Sequence, residues 1–425
     1  MSNIIFQSDN ASKQAKNLLF ASLYMEIDDI LQAAQTLINR PELGGKIQQT
    51  LFQMMAEEMP KLKGEMTPEE LKKAAIQRVD EWSKSIGTPS MDQYATLNKY
   101  WGVPVGEVIR EKITPKVVYD LLDCFLVGQQ DYKRKLSTSF FLHLMKKDEH
   151  KGMASLPKNT LMVQGPSGSG KTYGVQTLGH LFGVKVIFIH GNTLVREGIV
   201  GMKFSDYYTE AWLASKAKSN EEKIKELSLS VVVIDEFDKV REEVMNELLS
   251  LIDDDGEIIF PKDYTHNNDV VRISTKRMMF VFTGVFEGID KIKNHEGFGF
   301  RNGITSSPKA IDSSSLIKYG IKPEIVGRIQ NYTSVDRLSV NDYFNLLNSK
   351  LESPLNDYLN YFHQNDIEVD LTEDAKMALA QVAFDKELGV RGLKNLLNTI
   401  FSEEMFNLAN GHLVIDQNYI IQHSK

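Results

Sequence analysis

Apolar positions follow two periods along the chain, and their order lays out an architecture before any single residue is weighed. Up to about residue 110 the spacing is helical throughout. Leu19, Leu23, Ile27, Ile30, Ala34 and Leu37 keep one face of a helix that Pro41 and Gly44-Gly45 end. Thr67-Pro68-Glu69-Glu70 opens another as a capping box with proline at the first helical position, and Leu71, Ala75, Val79, Trp82 and Ile86 follow on one side. Beyond this region the period changes. Thr160–Gln164, Val184–Ile189, Val231–Ile234 and Met278–Phe282 are short continuous apolar runs, as expected of strands covered on both faces. Helically spaced stretches lie between them, with Val175, Leu178 and Leu181/Phe182 in one and Val244, Leu248 and Leu251/Ile252 in another. Strands alternating with helices predict an α/β unit with a parallel sheet between helical layers. From Leu338 a long helical pattern, a strand at Ile367–Leu371, two further helices and a last strand at Leu413–Ile415 predict a smaller α/β unit. The expected division is 1–110, all-helical; 111–331, the large α/β domain; and 332–425, the small one.

Composition narrows the picture. A chain of 425 residues with 42% apolar content can build two or three domains with proper cores. The formal net charge of −8 leaves no global basic footprint and counts against a nucleic-acid partner, although a local basic groove stays open. Cys124 is the single cysteine, so there is no intrachain disulfide framework and no thiolate zinc module. The nine histidines show no ligand spacing. No apolar run reaches roughly 18 residues and Met1–Asn10 lacks a secretory pattern, so a soluble cytoplasmic protein without a membrane partner is expected.

Candidate chemistry begins between the first strand and the helix that follows it. Gly165-Pro166-Ser167-Gly168-Ser169-Gly170-Lys171-Thr172 fits Gly-x-x-x-x-Gly-Lys-[Ser/Thr], the phosphate-binding loop. Its glycines let several N–H groups face one anion, and the helix N-terminus adds its dipole. Lys171 reaches for the β- and γ-phosphates of ATP, and the Thr172 hydroxyl for Mg²⁺. The second half of the chemistry is Val231-Val232-Val233-Ile234-Asp235-Glu236, where two carboxylates leave the carboxyl end of a buried strand. Asp235 would hold Mg²⁺ through its water shell, and Glu236 would polarise the attacking water. Thr283-Gly284 ends a further strand, and its hydroxyl would touch the γ-phosphate or the lytic water, or close a turn. Asp253-Asp254-Asp255-Gly256 reads as turn chemistry, since Leu251 occupies the position where a calcium loop needs an oxygen ligand.

The order of the pieces resembles one family, the AAA+ unfoldase ClpX, with HslU related. The blocks that carry the likeness are Thr114-Pro115-Lys116, Leu126-Val127-Gly128-Gln129, Asp235-Glu236-Phe237-Asp238-Lys239, Leu248–Ile252, Thr283–Asp290, Pro323-Glu324-Ile325-Val326-Gly327-Arg328 and Gly389-Val390-Arg391-Gly392-Leu393. The resemblance implies an AAA+ large domain and small C-terminal domain, an adenine pocket lined by Leu126 and Val127, and Thr283 at the first sensor position. It further implies Arg391 as the sensor arginine of the small domain, and Arg328 as a finger arginine entering the neighbouring subunit's ATP site in a hexameric ring. It implies protein clients, and a ClpP-like peptidase as a possible partner.

Departures from the family bear on what the ATP drives. Its Gly-aromatic-Val-Gly pore loop reads Gly198-Ile199-Val200-Gly201 here, which removes a large rigid side chain and implies weaker or altered pulling. The amino-terminal zinc module is missing, with the helical region before residue 110 in its place, and so is the basic pore-entrance tripeptide. The peptidase-docking tripeptide is matched by Phe298-Gly299-Phe300, with an aromatic where an aliphatic residue is usual. The expected activity is ATP-driven protein unfolding or remodelling. A nucleotide-gated switch or scaffold without threading, and an ATP-dependent nucleic-acid remodeller, stand as alternatives.

Overall fold

The computed structural model describes residues 91–101, 104–109, 112–146, 158–195, 201–259, 271–289, 311–349, 351–365, 367–407 and 412–423. The helical faces expected before residue 87, Gly198-Ile199-Val200 and Phe298-Gly299-Phe300 lie outside the described residues. The chain divides into two compact units, Met1–Ile113 with His180–Gly183, and Thr114–Gly179 with Val184–Lys425. In the first, the described helices are Met91–Trp101 and the short Val105–Val108. The Asn98 side-chain amide donates to the carbonyl of His180 at 3.1 Å.

The second unit is built on a five-stranded sheet in the order β2-β3-β6-β1-β7, with every neighbouring pair parallel. The strands are β1 (Asn159–Gln164), β2 (Val186–His190), β3 (Val231–Asp235), β6 (Met279–Gly284) and β7 (Asn331–Ser334). The three inner strands are buried almost throughout, whereas β2 and β7 at the edges are only partly covered. This is why the continuous apolar runs β1, β3 and β6 were readable as strands and the polar Asn331-Tyr332-Thr333-Ser334 was not. Gln164 stands opposite Gly284, and His190 opposite Asp235. The phosphate loop, the acidic pair and the Thr283-Gly284 end therefore leave the sheet at one carboxyl edge, where open parallel sheets place their ligands. Asp253–Gly256 leads into β4 (Glu257–Ile259), which pairs antiparallel with β5 (Arg272–Ser274), and the Thr275 N–H donates to the Gly256 carbonyl at 2.8 Å.

The chain after Leu338 has an apolar cluster of its own, from Leu338 through Phe362 and Phe401 to Ile420. Helices Val340–Leu347, Asn356–Gln364, Glu373–Asp385, Gly389–Asn407 and Gln417–His423 surround a parallel pair, β8 (Glu368–Leu371) and β9 (His412–Ile415). The long helical pattern after Leu338 is in fact two helices. Ser353 separates them: its hydroxyl donates to the Leu347 carbonyl at 2.6 Å and accepts from the Leu355 N–H at 3.2 Å, beside Pro354. Apolar spacing continues across the break, so periodicity alone joined the two. Among the described residues no helix is long and apolar enough to cross a membrane.

Candidate active site

A cavity of about 690 Å³ opens at the carboxyl edge of the sheet. Its floor is the phosphate loop. Gly168 has φ +72° and Gly170 φ +93°, and a Cβ on Gly170 would come within 2.8 Å of Leu126 Cδ1. Only glycine adopts these conformations at little cost, and the bare backbone then faces the cavity. Helix Lys171–Phe182 starts directly behind the loop. Tyr132 donates its hydroxyl to the Lys171 carbonyl, pinning that start. The Lys171 ammonium donates to the carbonyls of Gly165 and Pro166, each at 2.7 Å. Burial lowers its pKa, while Asp235 and Asp238 oppose the shift. Thr172 stands next on the same helix and also lines the cavity.

The acidic wall comes from β3. Asp235 Oδ1 accepts from the Thr283 hydroxyl at 2.5 Å and from the Glu236 N–H at 3.0 Å, so the first carboxylate is oriented from both neighbouring chain segments. Glu236 turns the chain with left-handed dihedrals, φ +52° and ψ +43°. Its Oε1 lies 3.3 Å from the Lys239 ammonium, and its Oε2 is buried without a hydrogen-bond partner among the described residues. Asp238 shares this turn, and sequence reasoning assigned it nothing.

Opposite stands an apolar wall. Thr114 caps helix Pro115–Asp123 by accepting from the Val117 N–H at 3.3 Å, and the chain then passes along the cavity as Phe125, Leu126 and Val127. Buried Lys133 fixes this segment by donating to the Leu126 carbonyl at 3.0 Å while pairing with Asp123. Leu338 and Leu346 complete the wall. Sequence reasoning missed Lys133, Tyr173 and Glu352, because each acts through a partner far along the chain or on another helix. Tyr173 and Glu352 line the cavity and hydrogen bond to each other, and burial pushes the Tyr173 hydroxyl well above its ordinary pKa.

The helix carrying Arg391 closes the site. The Val390 N–H donates to the Gly168 carbonyl at 3.1 Å, and the Gly389 N–H to the Tyr343 hydroxyl at 2.9 Å. Arg391 thereby lines the cavity. The structure does not bring Arg328 into it. That guanidinium pairs with the Asp253 carboxylate and donates to the Glu324 carbonyl at 3.0 Å. Gly201 is the one described residue of the expected pore loop. Beside it the Val195 N–H bonds the Met202 carbonyl at 2.9 Å, so the two ends of that loop meet.

These donors fit a nucleoside triphosphate: glycine backbone and a lysine for phosphates, hydroxyl and carboxylate oxygens for a cation, an apolar wall for a base, and an orphaned carboxylate oxygen for water. The comparisons agree with that chemistry. The AAA domain (Cdc48 subfamily) matches residues 156–332, and the C-terminal, D2-small domain of ClpB protein matches residues 351–415. The ATP-dependent Clp protease ATP-binding subunit ClpX of Treponema denticola is 26% identical over 323 residues, covering 69% of this chain and 77% of that protein. The same subunit of Porphyromonas gingivalis is 25% identical over 363 residues, covering 77% and 86%. ClpX 2 of Wolinella succinogenes is 26% identical over 336 residues, covering 73% and 83%. The chain is a divergent ClpX-like AAA+ ATPase. Within this ClpX-like frame, the AAA match contains the phosphate loop, Asp235, Glu236, Thr283 and Arg328, and the small-domain match contains Arg391. The cavity lined by residues of both matches is the candidate nucleotide site.

Proposed function

We propose that this ATPase is a protein unfoldase or remodeller of the ClpX type, working as a hexameric ring on protein clients. Mg²⁺ would be held by the Thr172 hydroxyl and, through water, by Asp235, and would offset phosphate charge. Lys171 binds the β- and γ-phosphates, Leu126 and Val127 receive the adenine, and Glu236 takes a proton from the attacking water. Arg391 reports nucleotide to the small domain, and Arg328 completes a neighbour's site. Residues 1–110 would select clients in the cytoplasm, and Phe298-Gly299-Phe300 would dock a ClpP-like peptidase.

The observation that carries the reading is where the two arginines stand. Arg391 lines its own cavity, whereas the Arg328 side chain is 37% exposed away from it and paired with Asp253, itself 47% exposed. An ion pair so exposed is worth about 0–1 kcal/mol, so Arg328 exchanges it readily for a phosphate on another subunit. Such an arginine contributes about 10³–10⁵ in rate to related nucleotide hydrolases. A non-threading switch is favoured by one observation, Ile199 in place of the pore-loop aromatic. The deciding experiment follows ATP-dependent loss of fluorescence from a tagged folded substrate, with the parent chain and with Ile199→Tyr. Unfolding by either supports the threading machine. ATP turnover with no unfolding by either would favour the switch, and stimulation of turnover by DNA but not by an unfolded protein would favour a nucleic-acid remodeller.

A further inference from the structure

Asp238 is held more tightly than a surface turn requires. Its Oδ2 accepts from the Phe286 N–H at 3.2 Å, and its Oδ1 is buried with no hydrogen-bond partner among the described residues. Phe286 reaches that bond with φ +54°, left-handed for a bulky residue, and its buried ring packs edge-on against Tyr319. Gly284 leaves the room, since a Cβ there would stand 2.6 Å from Asp238 Oδ1. Left-handed dihedrals at a non-glycine residue persist only where the surroundings over-determine them, and they gather at functional sites. Two such residues, Glu236 and Phe286, flank this one carboxylate.

The same turn carries two buried carboxylate oxygens without partners among the described residues, Glu236 Oε2 and Asp238 Oδ1, and both residues line the cavity that holds Lys171. A water molecule attacking in line must aim a lone pair at phosphorus, which fixes it only if both of its O–H bonds have acceptors. Glu236 supplies one. The Thr283 hydroxyl, held by donating to Asp235, could offer only a neutral oxygen as acceptor, weaker than a carboxylate oxygen.

We propose that Asp238 Oδ1 is the second acceptor, making Asp238 a water-orienting catalytic residue for ATP hydrolysis. The water oxygen forms a bond to the γ-phosphorus, and the bond from phosphorus to the β,γ-bridging oxygen breaks with its electron pair retained by ADP. One water proton passes to Glu236. The other stays on the transferred oxygen, hydrogen bonded to Asp238 until phosphate leaves. The assignment holds whatever work the hydrolysis drives.

Asp238→Asn in the full chain separates this role from a structural one. Its carboxamide oxygen still accepts from the Phe286 N–H, which forces the NH₂ group toward the cavity and replaces an acceptor by a donor. Three quantities are measured: the Kd for a fluorescent ADP, the Kd for ADP with aluminium fluoride and Mg²⁺, and steady-state kcat and KM for ATP. The expected result is an ADP Kd within about twofold of the parent, an aluminium-fluoride complex weakened about tenfold or more, and kcat lowered about 10- to 100-fold with KM little changed. A kcat within twofold of the parent overturns the proposal. So does a parallel loss of both affinities with a lowered melting temperature, which would mark Asp238 as structural. Glu236→Gln serves as the reference; if that variant turns over ATP like the parent, the hydrolytic centre lies elsewhere and the proposal falls with it.

Discussion

At Gly168 a single added side-chain atom would strain the site itself. The glycine's φ is +72°, and a Cβ would sit 3.3 Å from Gly389 Cα, itself a residue with φ +63°. The contact lies beside the Val390 N–H bond to the Gly168 carbonyl, so the phosphate loop and the helix bearing Arg391 touch through bare backbone. Gly168→Ala would place an L side chain in a left-handed conformation, at about 1–2 kcal/mol, and push the two segments apart. The expected outcome is roughly tenfold weaker binding of fluorescent ADP with the melting temperature little changed. The phosphate-loop motif fixes glycines at 165 and 170 and leaves position 168 open. It gave no sign that Gly168 serves a seam with residue 389, since that depends on chain segments more than 200 positions apart. Asp238 was illegible for a similar reason. Its meaning rests on the dihedral angles of Phe286 and on the missing Cβ of Gly284, neither of which has a period or a composition.

Elements were legible in proportion to how their burial repeats. Strands β1, β3 and β6 are covered on both faces and read as uninterrupted apolar runs, while β4 and β5 are three residues each and alternate, exposing every second side chain. Helix Gln130–Met145 shows what periodicity omits. It carries a fully buried His143 whose Nε2 bonds the Leu229 carbonyl at 2.9 Å, just before β3 begins. Burial, the largest cause, holds that imidazole to a pKa of about 4, below the ordinary 6.5. Because the folded pKa is the lower one, the unfolded chain binds the extra proton between these values, and stability rises with pH there. The contribution is complete above pH 6.5 and lost as pH falls toward 4, by up to about 3 kcal/mol. His143→Gln keeps an N–H for Leu229 but takes up no proton. Urea midpoints measured from pH 7 to pH 4.5 should therefore fall less steeply in this variant than in the parent. Parallel curves would show that His143 charges in the folded state without penalty.

At the scale of the whole molecule the site is incomplete in one subunit under the proposed reading, and this has a consequence that no single-chain property imitates. Glu236 acts within its own subunit's cavity, while Arg328 would act in the next one around the ring. Glu236→Gln leaves Arg328 intact for its neighbour, and Arg328→Ala leaves Glu236 intact for itself. Each variant alone should be nearly inactive, with kcat lowered on the order of 10²-fold or more. Mixed in equal amounts and allowed to exchange subunits, they should recover activity. In a head-to-tail ring a site works when its Glu236 comes from the Arg328→Ala chain and its finger from the Glu236→Gln chain, which random mixing gives at about a quarter of sites. Dilution and reassembly before the assay lets the two kinds of subunit mix in one ring, so recovery should be greatest after that step. A mixture that stays at the sum of its two components, although light scattering shows mixed assemblies, would return Arg328 to the role its contacts already display, an ion pair with Asp253 on its own subunit.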